Sequence, residues 1–428
     1  MKQNFIKVII LMILFQTNLF AVEKINLEGV IKSFIEKSSY REKEKIEIKK
    51  LDIEKQGNVA EEWRKISFNI NPIYNSYKNK DTNKYFGNTT LNFGYKMFYL
   101  NFNYDNSTDK LKRTIYKIGL SESLDDVIYS EQKYKKKLLK LKEKVTMNRL
   151  SSEKITEIKS IIELYADIKN IESEIDIKRK TLKNRNKEFE NLKEKYKQNE
   201  AVKIDVDYMS IKIKEIKNNI VYLEESFENN SKKLLEKVGI KSRKKIVFED
   251  ISDVNIDKIG VNELEITSKG LEINSKEEEI KYSVIRSCPE VKLDVNYDIE
   301  NKIWMAGVVF TGNVLESKTD IKTEKEELKK LKIEKKEIEA KRNRTEQQLE
   351  IEYQNLLNKK KILKDKRDNF GKRYLISKSV YKKGYMSLIN YIKSQEDYEK
   401  AEMEYKKAKN ELNAFKYKIK FGKKTFYI

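Results

Sequence analysis

The sequence predicts a mostly α-helical fold with β segments, built around very long heptad-patterned helices. A helical motif occurs twice, 185 positions apart: Tyr196-Lys-Gln-Asn199 followed by Ile204-Asp205-Val206, and Tyr381-Lys-Lys-Gly384 followed by Ile389-Asn390-Tyr391. In both places a long helix runs into the motif and a shorter one runs out, which marks an internal duplication. Only 2 Pro and 13 Gly interrupt 428 residues, which suits long unbroken helices. Apolar residues alternate with polar ones in two separate stretches, residues 63–123 and 288–313, which reads as β structure placed at matching points of the two halves.

Residues 1–21 read as an export signal. Lys2 and Lys7 supply the positive start, Val8 to Phe15 the apolar core and Ala21 the small residue at the cut. The apolar run is too short to span a bilayer as a helix. The first repeat then covers 22–250. Asn26 caps a helix predicted from Ile25 to about Glu62. In the β segment, Ile66, Phe68 and Ile70 alternate with polar residues, as do Phe98, Leu100, Phe102 and Tyr104. The stretch 79–110, rich in Tyr and Phe, makes this segment much longer than its counterpart. The stretch reads either as an added hairpin that changes the strand number or as a long surface loop, and the shortness of two strands there favours an extension beyond the sheet.

A long helix is predicted over 124–196, with Ile161, Ile168, Ile175, Leu182, Phe189 and Tyr196 at every seventh position. A strict seven-residue repeat on a 3.6-residue helix drives a left-handed supercoil. A helix over 203–238 follows and stops at Gly239. Residues 240–261 read as a linker or small lateral element. The second repeat, 251–428, copies the plan: a helix over 262–287, strands within 288–313, a long helix over 315–381 with Leu349, Leu356, Leu363 and Phe370 in heptad register, and a helix over 388–418.

Composition removes most alternatives. With no His, the commonest general base and metal ligand is missing. No phosphate-binding loop, nucleophile elbow or Cys/His metal spacing occurs, so the sequence implies no enzyme, no cofactor and no metal. The single Cys288 allows no internal disulfide and reads as a small packing residue at a helix-to-strand junction. Lys+Arg 91 against Asp+Glu 69 gives +22, but the signs are interleaved along the helices. That pattern is solvated helix face and implies no nucleic-acid partner.

The lengths carry a further argument. In each half one long helix matches two shorter ones laid end to end: roughly 73 residues against 37 plus 36, then roughly 67 against 26 plus 31. A single copy leaves both faces of such a thin helical layer uncovered. Assembly into a tube covers them and removes the sheet edges by closing a barrel.

In this order, Ile25-Asn-Leu-Glu-Gly-Val-Ile-Lys-Ser-Phe, Pro289-Glu-Val-Lys-Leu-Asp-Val-Asn-Tyr297 and Tyr381-Lys-Lys-Gly-Tyr-Met-Ser-Leu-Ile-Asn390 resemble the TolC-like outer membrane efflux protein family over nearly all of residues 25–420. The resemblance implies a homotrimer: a long coiled-coil α-helical barrel forming a periplasmic tunnel, plus a β-barrel in outer-membrane lipid contributed by strands of three protomers. It implies a passive exit duct for efflux or type I secretion, with a periplasmic adaptor and an inner-membrane pump as partners. By the same resemblance, Asn199, Ala201, Val202, Gly384 and Ser387 contact the adaptor at the tip, and Tyr196, Asp205, Tyr381, Asn390 and Lys393 gate the entrance. Many members carry acidic residues where this chain has Asn390 and Lys393. With Lys203, Lys382 and Lys383 nearby, the entrance is expected to tolerate anions. The competing reading is an exported structural or adhesive coiled-coil surface protein, which needs no aromatic strands at matching places.

Overall fold

The structure, a computed structural model, describes residues 23–423 apart from 64–65, 80–81, 96–97, 106–112, 242–245, 257, 289 and 312–317. The predicted signal, residues 1–21, and Pro289 lie outside the described residues. In chain order the elements are β1 (Glu23–Ile25), α1 (Leu27–Lys37), α2 (Ser39–Trp63), β2 (Ile66–Asn79), β3 (Thr82–Tyr95), β4 (Phe98–Asp105), β5 (Arg113–Ser123), α3 (Leu124–Tyr129), α4 (Glu131–Lys197), α5 (Lys203–Val238), β6 (Ile246–Phe248), α6 (Leu264–Arg286), β7 (Glu290–Asp298), β8 (Ile303–Thr311), α7 (Lys318–Lys382) and α8 (Leu388–Gly422). The chain divides into two compact units. One holds the residues up to Lys45, Leu150–Glu263 and those from Ala340 on; the other holds Ile46–Arg149 and Leu264–Glu339.

The first unit is helical around a small parallel pair, β1 with β6, in which Ile25 lies opposite Phe248. Its core gathers Val30, Ile31 and Phe34 from α1, Ile158, Ile161, Ile162, Tyr165 and Ile168 from α4, Leu234 and Val238 from α5, and Tyr417 and Phe421 from α8. Each such side chain contributes about 1.5–3 kcal/mol on burial. The segment after β6 is tied down by polar contacts. The Tyr165 hydroxyl lies 3.0 Å from the Ile25 carbonyl and 2.7 Å from that of Glu249. Asn413 donates to the Ile251 carbonyl at 2.8 Å, and Lys416 reaches Asp253 at 2.6 Å. The described residues of 240–261 thus form a strand and an anchored strap. Three residues are too few to give a periodic signal in the sequence.

The single first helix expected over 25–62 is broken. Ser38 takes an extended conformation (ψ 158°) and its hydroxyl donates to the Phe34 carbonyl at 2.5 Å, ending α1 before α2 begins. Asn26 does cap α1, accepting from Gly29 N–H at 2.7 Å. The next break, at Ser130 (ψ 148°), divides the expected long helix into α3 and α4. Lys154 of α4 meets Glu44 of α2 at 2.5 Å, with both side chains almost wholly buried. Removing one partner of such a pair strands a buried charge.

The second unit holds one antiparallel six-stranded sheet in the order β2-β3-β4-β5-β7-β8. Within 79–110 the described residues Thr82–Tyr95 and Phe98–Asp105 supply β3 and β4 of the sheet itself, the added-hairpin alternative rather than an extension beyond it. Strands β2 and β3 pair over fourteen positions each, and the segment Asn88–Tyr95 of β3 pairs with β4, leaving Thr82–Gly87 beyond it. The sequence obscures this because Asn, Thr and Gly stand between the aromatics of β3. Where sheet meets helices, Tyr134 stacks on Tyr282 at 4.1 Å, and Tyr129 donates to Glu278 at 2.6 Å.

Gly239 ends α5 in the left-handed region (φ 73°), and a Cβ there would come within 2.4 Å of the Lys37 carbonyl oxygen. Gly239→Ala combines backbone strain with that clash. It is predicted to cost about 2 kcal/mol, read as a lower unfolding midpoint in urea.

Candidate functional sites: a two-faced sheet and a duplicated helix turn

The sheet register sorts its side chains. One row runs Ile66, Tyr95, Phe98, Leu120, Val295, Ala306, and the row two positions along runs Phe68, Phe93, Leu100, Ile118, Tyr297, Trp304. Because successive strand residues point to opposite faces, these rows share one face. The residues in these two rows are apolar, and the members whose side chains are described are open on that face: Phe98, Leu100, Ile118 and Val308 are all exposed, as are Trp304 at 71% and Phe310 at 72%. Tyr297 packs against Trp304 at 5.0 Å, and Phe102 against Tyr116 at 5.1 Å.

The intervening rows are mostly polar, for example Tyr99, Gly119, Asn296 and Met305 in one. On this face Tyr99 lies across Gly119, where a Cβ would sit 2.4 Å from the ring, and its hydroxyl donates to Asp294 at 2.8 Å. A water-facing sheet with a core would bury its apolar face and expose the polar one. Here the apolar face is open.

The duplicated motif builds the same helix end twice in the first unit. At the end of α4, Asn199 has φ 62°; its N–H bonds the Tyr196 carbonyl, and Glu200 N–H bonds that of Lys195. At the end of α7, Gly384 has φ 79°; its N–H bonds the Tyr381 carbonyl, and Tyr385 N–H bonds that of Val380. Both are Schellman caps, whose left-handed residue must be Gly or a tolerant residue such as Asn. Ser387 then caps α8, accepting from Asn390 N–H at 3.3 Å. Val202 holds the equivalent place before α5, with no side-chain cap.

Around these turns, Leu192, Met209, Ile213, Leu388, Tyr391 and Ile392 form a second buried cluster, with Ala201 and Tyr381 partly buried against it. Tyr381 stacks on Tyr391, 4.7 Å apart and within 2° of parallel. Tyr391 donates to Glu188 at 2.6 Å, and Glu188 takes Arg185 at 3.2 Å. Arg185 is only 1% exposed. Burial pushes both tyrosine hydroxyls up, and for Tyr381 the carboxylates of Glu188 and Asp205 add to it. The residues named for the turns fall as follows: Asp205 is half-buried in the first turn of α5, while Tyr196, Asn199, Val202, Gly384, Ser387, Asn390 and Lys393 are exposed, with Lys203, Lys382 and Lys383.

Arg185, Glu188, Tyr391 and Glu399 carry this polar network; of these the sequence singled out only Tyr391, as the end of the repeated motif. Arg185 and Glu188 stand three apart on one helix, a spacing as common on exposed faces as in buried networks. Exposed Ile204 (74%) and Ile389 (54%), again 185 apart, sit on the first turn of each outgoing helix. The duplication itself was the signal for them.

The fold is similar to solved outer-membrane channels. The outer membrane protein VceC of Vibrio cholerae gives a TM-score of 0.63 at 11% identity, covering 92% of this chain and 95% of that one. The CmeC outer membrane channel of Campylobacter jejuni gives 0.63 at 11%, with 92% and 85% covered. CusC gives 0.60 at 9%, with 92% and 91% covered. No family model and no curated protein matches the sequence. The fold is that of the TolC-family outer-membrane channels.

Glu399, buried beside Thr181 and Gln395 (2.8 Å), tests the helical packing. Burial raises its carboxyl above the ordinary value, against the pull of Thr181, Gln395, Lys178 and Arg185. A raised folded value makes its contribution full below the ordinary carboxylate range and lost as pH rises through the folded value. Glu399→Gln is therefore expected to raise the unfolding midpoint at pH 7–8 and to lose that advantage near pH 4. Each unit of the raised value corresponds to about 1.4 kcal/mol.

Proposed function

We propose that this chain is the outer-membrane exit duct of a tripartite efflux or type I secretion system, a passive conduit whose sheet lies in outer-membrane lipid and whose helices stand in the periplasm. The observation that carries this reading is the open apolar face across six strands, backed by a polar one. Only lipid accepts such a face without cost, and only a closed sheet satisfies the backbone there. Among the described residues of α7 none is buried, and its heptad residues Leu349, Leu356, Leu363 and Phe370 are half-covered. Ile351, Ile362, Leu375 and Ile376 are exposed on the same helix. That unfinished packing supports a homotrimer of two-repeat protomers, 22–250 and 251–428.

Exposed Val202, Ile204, Tyr385 and Ile389 surround the caps at Asn199 and Gly384. This apolar patch supports docking of an adaptor's helices with Ala201 and Ser387. Tyr196, Asp205, Tyr381, Asn390 and Lys393 gate the entrance. The stacked Tyr381–Tyr391 pair ties the second turn to α4 through Glu188, so opening the entrance breaks a contact worth on the order of 1–3 kcal/mol.

The mass of the membrane-extracted protein in detergent, with conductance in a planar bilayer, tests the reading. A trimer with a low-conductance channel is expected. A water-soluble monomer or dimer without conductance refutes it and leaves an exported coiled-coil surface protein. In the same bilayer, Lys393→Asp is predicted to shift the reversal potential toward cation selectivity. An already cation-selective channel that the substitution leaves unchanged contradicts an anion-tolerant entrance.

A further inference from the structure

The six-stranded sheet is open at β2 and at β8. Soluble proteins blunt such edges with charged residues, bulges or covering elements. Strand β8 reads Ile303-Trp-Met-Ala-Gly-Val-Val-Phe-Thr311, without a charge, and all nine residues are exposed. Such an edge needs a strand beside it. Strand β2 starts just after α2 and runs away from the helices, whereas β8 runs back toward α7. With six alternating strands, the two edges of one copy therefore run in opposite directions, and head-to-tail joining of copies makes every junction antiparallel.

The sheet also has a measurable slip. The row starting at Ile66, the first residue of β2, reaches β8 at Ala306, yet β8 continues to Thr311, five residues nearer the helices (311 − 306 = 5). Five strand junctions thus slip about five residues. One residue per strand, with a rise of about 3.3 Å and a spacing of about 4.8 Å, gives a tilt of about 35°, within the range of closed barrels. Nine residues at that tilt rise about 24 Å, close to the apolar band of an outer-membrane barrel.

We propose that β8 of one copy pairs with β2 of the next, so that three copies close a barrel of eighteen strands, with Gly307 opposite Asn71 of the neighbouring copy. The number three rests on the duct reading above; the strand count per copy and the joining strands do not. Carrying the slip across a sixth junction moves the row by six residues, from Ile66 to Pro72 of the next copy opposite Ala306. An even slip is required, because an odd one would set the apolar face against the polar face. The shift pairs Phe310, Val308 and Trp304 with Phe68, Ile70 and Tyr74, keeping the apolar face continuous. Pro72 has no N–H, so one bond of a β2 ladder is absent. Eighteen strands give a backbone diameter of about 34 Å, against about 22 Å if β4 rather than β2 joined the copies and the wall had twelve.

Disulfide trapping in the full-length protein, with Cys288→Ser as background, tests this. Facing positions on neighbouring antiparallel strands lie within disulfide reach. Asn71→Cys with Gly307→Cys is expected to shift the heat-denatured band to two and three times the chain mass, reversibly with reductant. Asn101→Cys on β4 with Gly307→Cys is expected to give no such shift. The opposite result, with the protein still trimeric in detergent, overturns the eighteen-strand wall and leaves the duct reading intact. A trimer with no shift from either pair also overturns the β2–β8 junction. A monomer outside the membrane fraction overturns both readings. Unsubstituted protein gives an independent readout. Neutral polymers about 20 Å across enter an eighteen-strand barrel from the outer side, and a twelve-strand barrel, narrowed by its side chains, refuses them.

Discussion

A sheet with one apolar face open, one polar face and two unpaired edges has no stable resting place in water. Everything distinctive about the second unit follows from that constraint. The alternation of Phe98, Leu100 and Phe102 with Tyr99, Asn101 and Asn103 is set by the period of a strand, and the register carries it across six strands. Burying the apolar face under a helical layer would give a soluble α+β domain. Leaving it open makes sense only where the solvent is itself apolar. In the proposed duct the polar face lines the inside; on that face Tyr99 lies across Gly119 and reaches Asp294.

The helical unit solves a different problem. Its residues are Lys- and Glu-rich, and pairs such as Arg179–Glu224 at 2.6 Å and Lys366–Glu404 at 2.7 Å join neighbouring helices. At the surface each is worth about 0–1 kcal/mol, so these pairs steer helix alignment more than they stabilise it. Stability comes from the two buried clusters. One surrounds the β1–β6 pair, and the other sits behind the duplicated turns. Placing Arg185, Glu188 and Tyr391 inside the second cluster makes the turns polar in their interior. Held by these bonds, the group fixes the packing behind the turns in one arrangement.

The helices were legible because heptads and the scarcity of Pro and Gly are long-range signals, and Gly239 and Asn26 act as the caps their types suggest. The turns were legible through Asn199 and Gly384, since a left-handed residue limits the choice of side chain. Three things were not. Ser38 and Ser130 break helices by taking extended conformations that no composition change announces. Strand β6 is three residues long and gains its identity from β1, more than 200 positions away. Strand β3 hid because its polar residues interrupt the pattern, and only pairing with β2 and β4 shows that it belongs to the sheet.

The central claim is that the face bearing Trp304 meets lipid. Trp63 and Trp304 are the chain's two tryptophans, so Trp63→Phe leaves Trp304 as a single fluorescent reporter. The direct measurement is its quenching, in membranes, by lipids brominated along the acyl chain and by aqueous iodide. Strong quenching by the brominated lipid with little effect of iodide is the predicted result. Quenching by iodide alone would put that face in water and contradict the account.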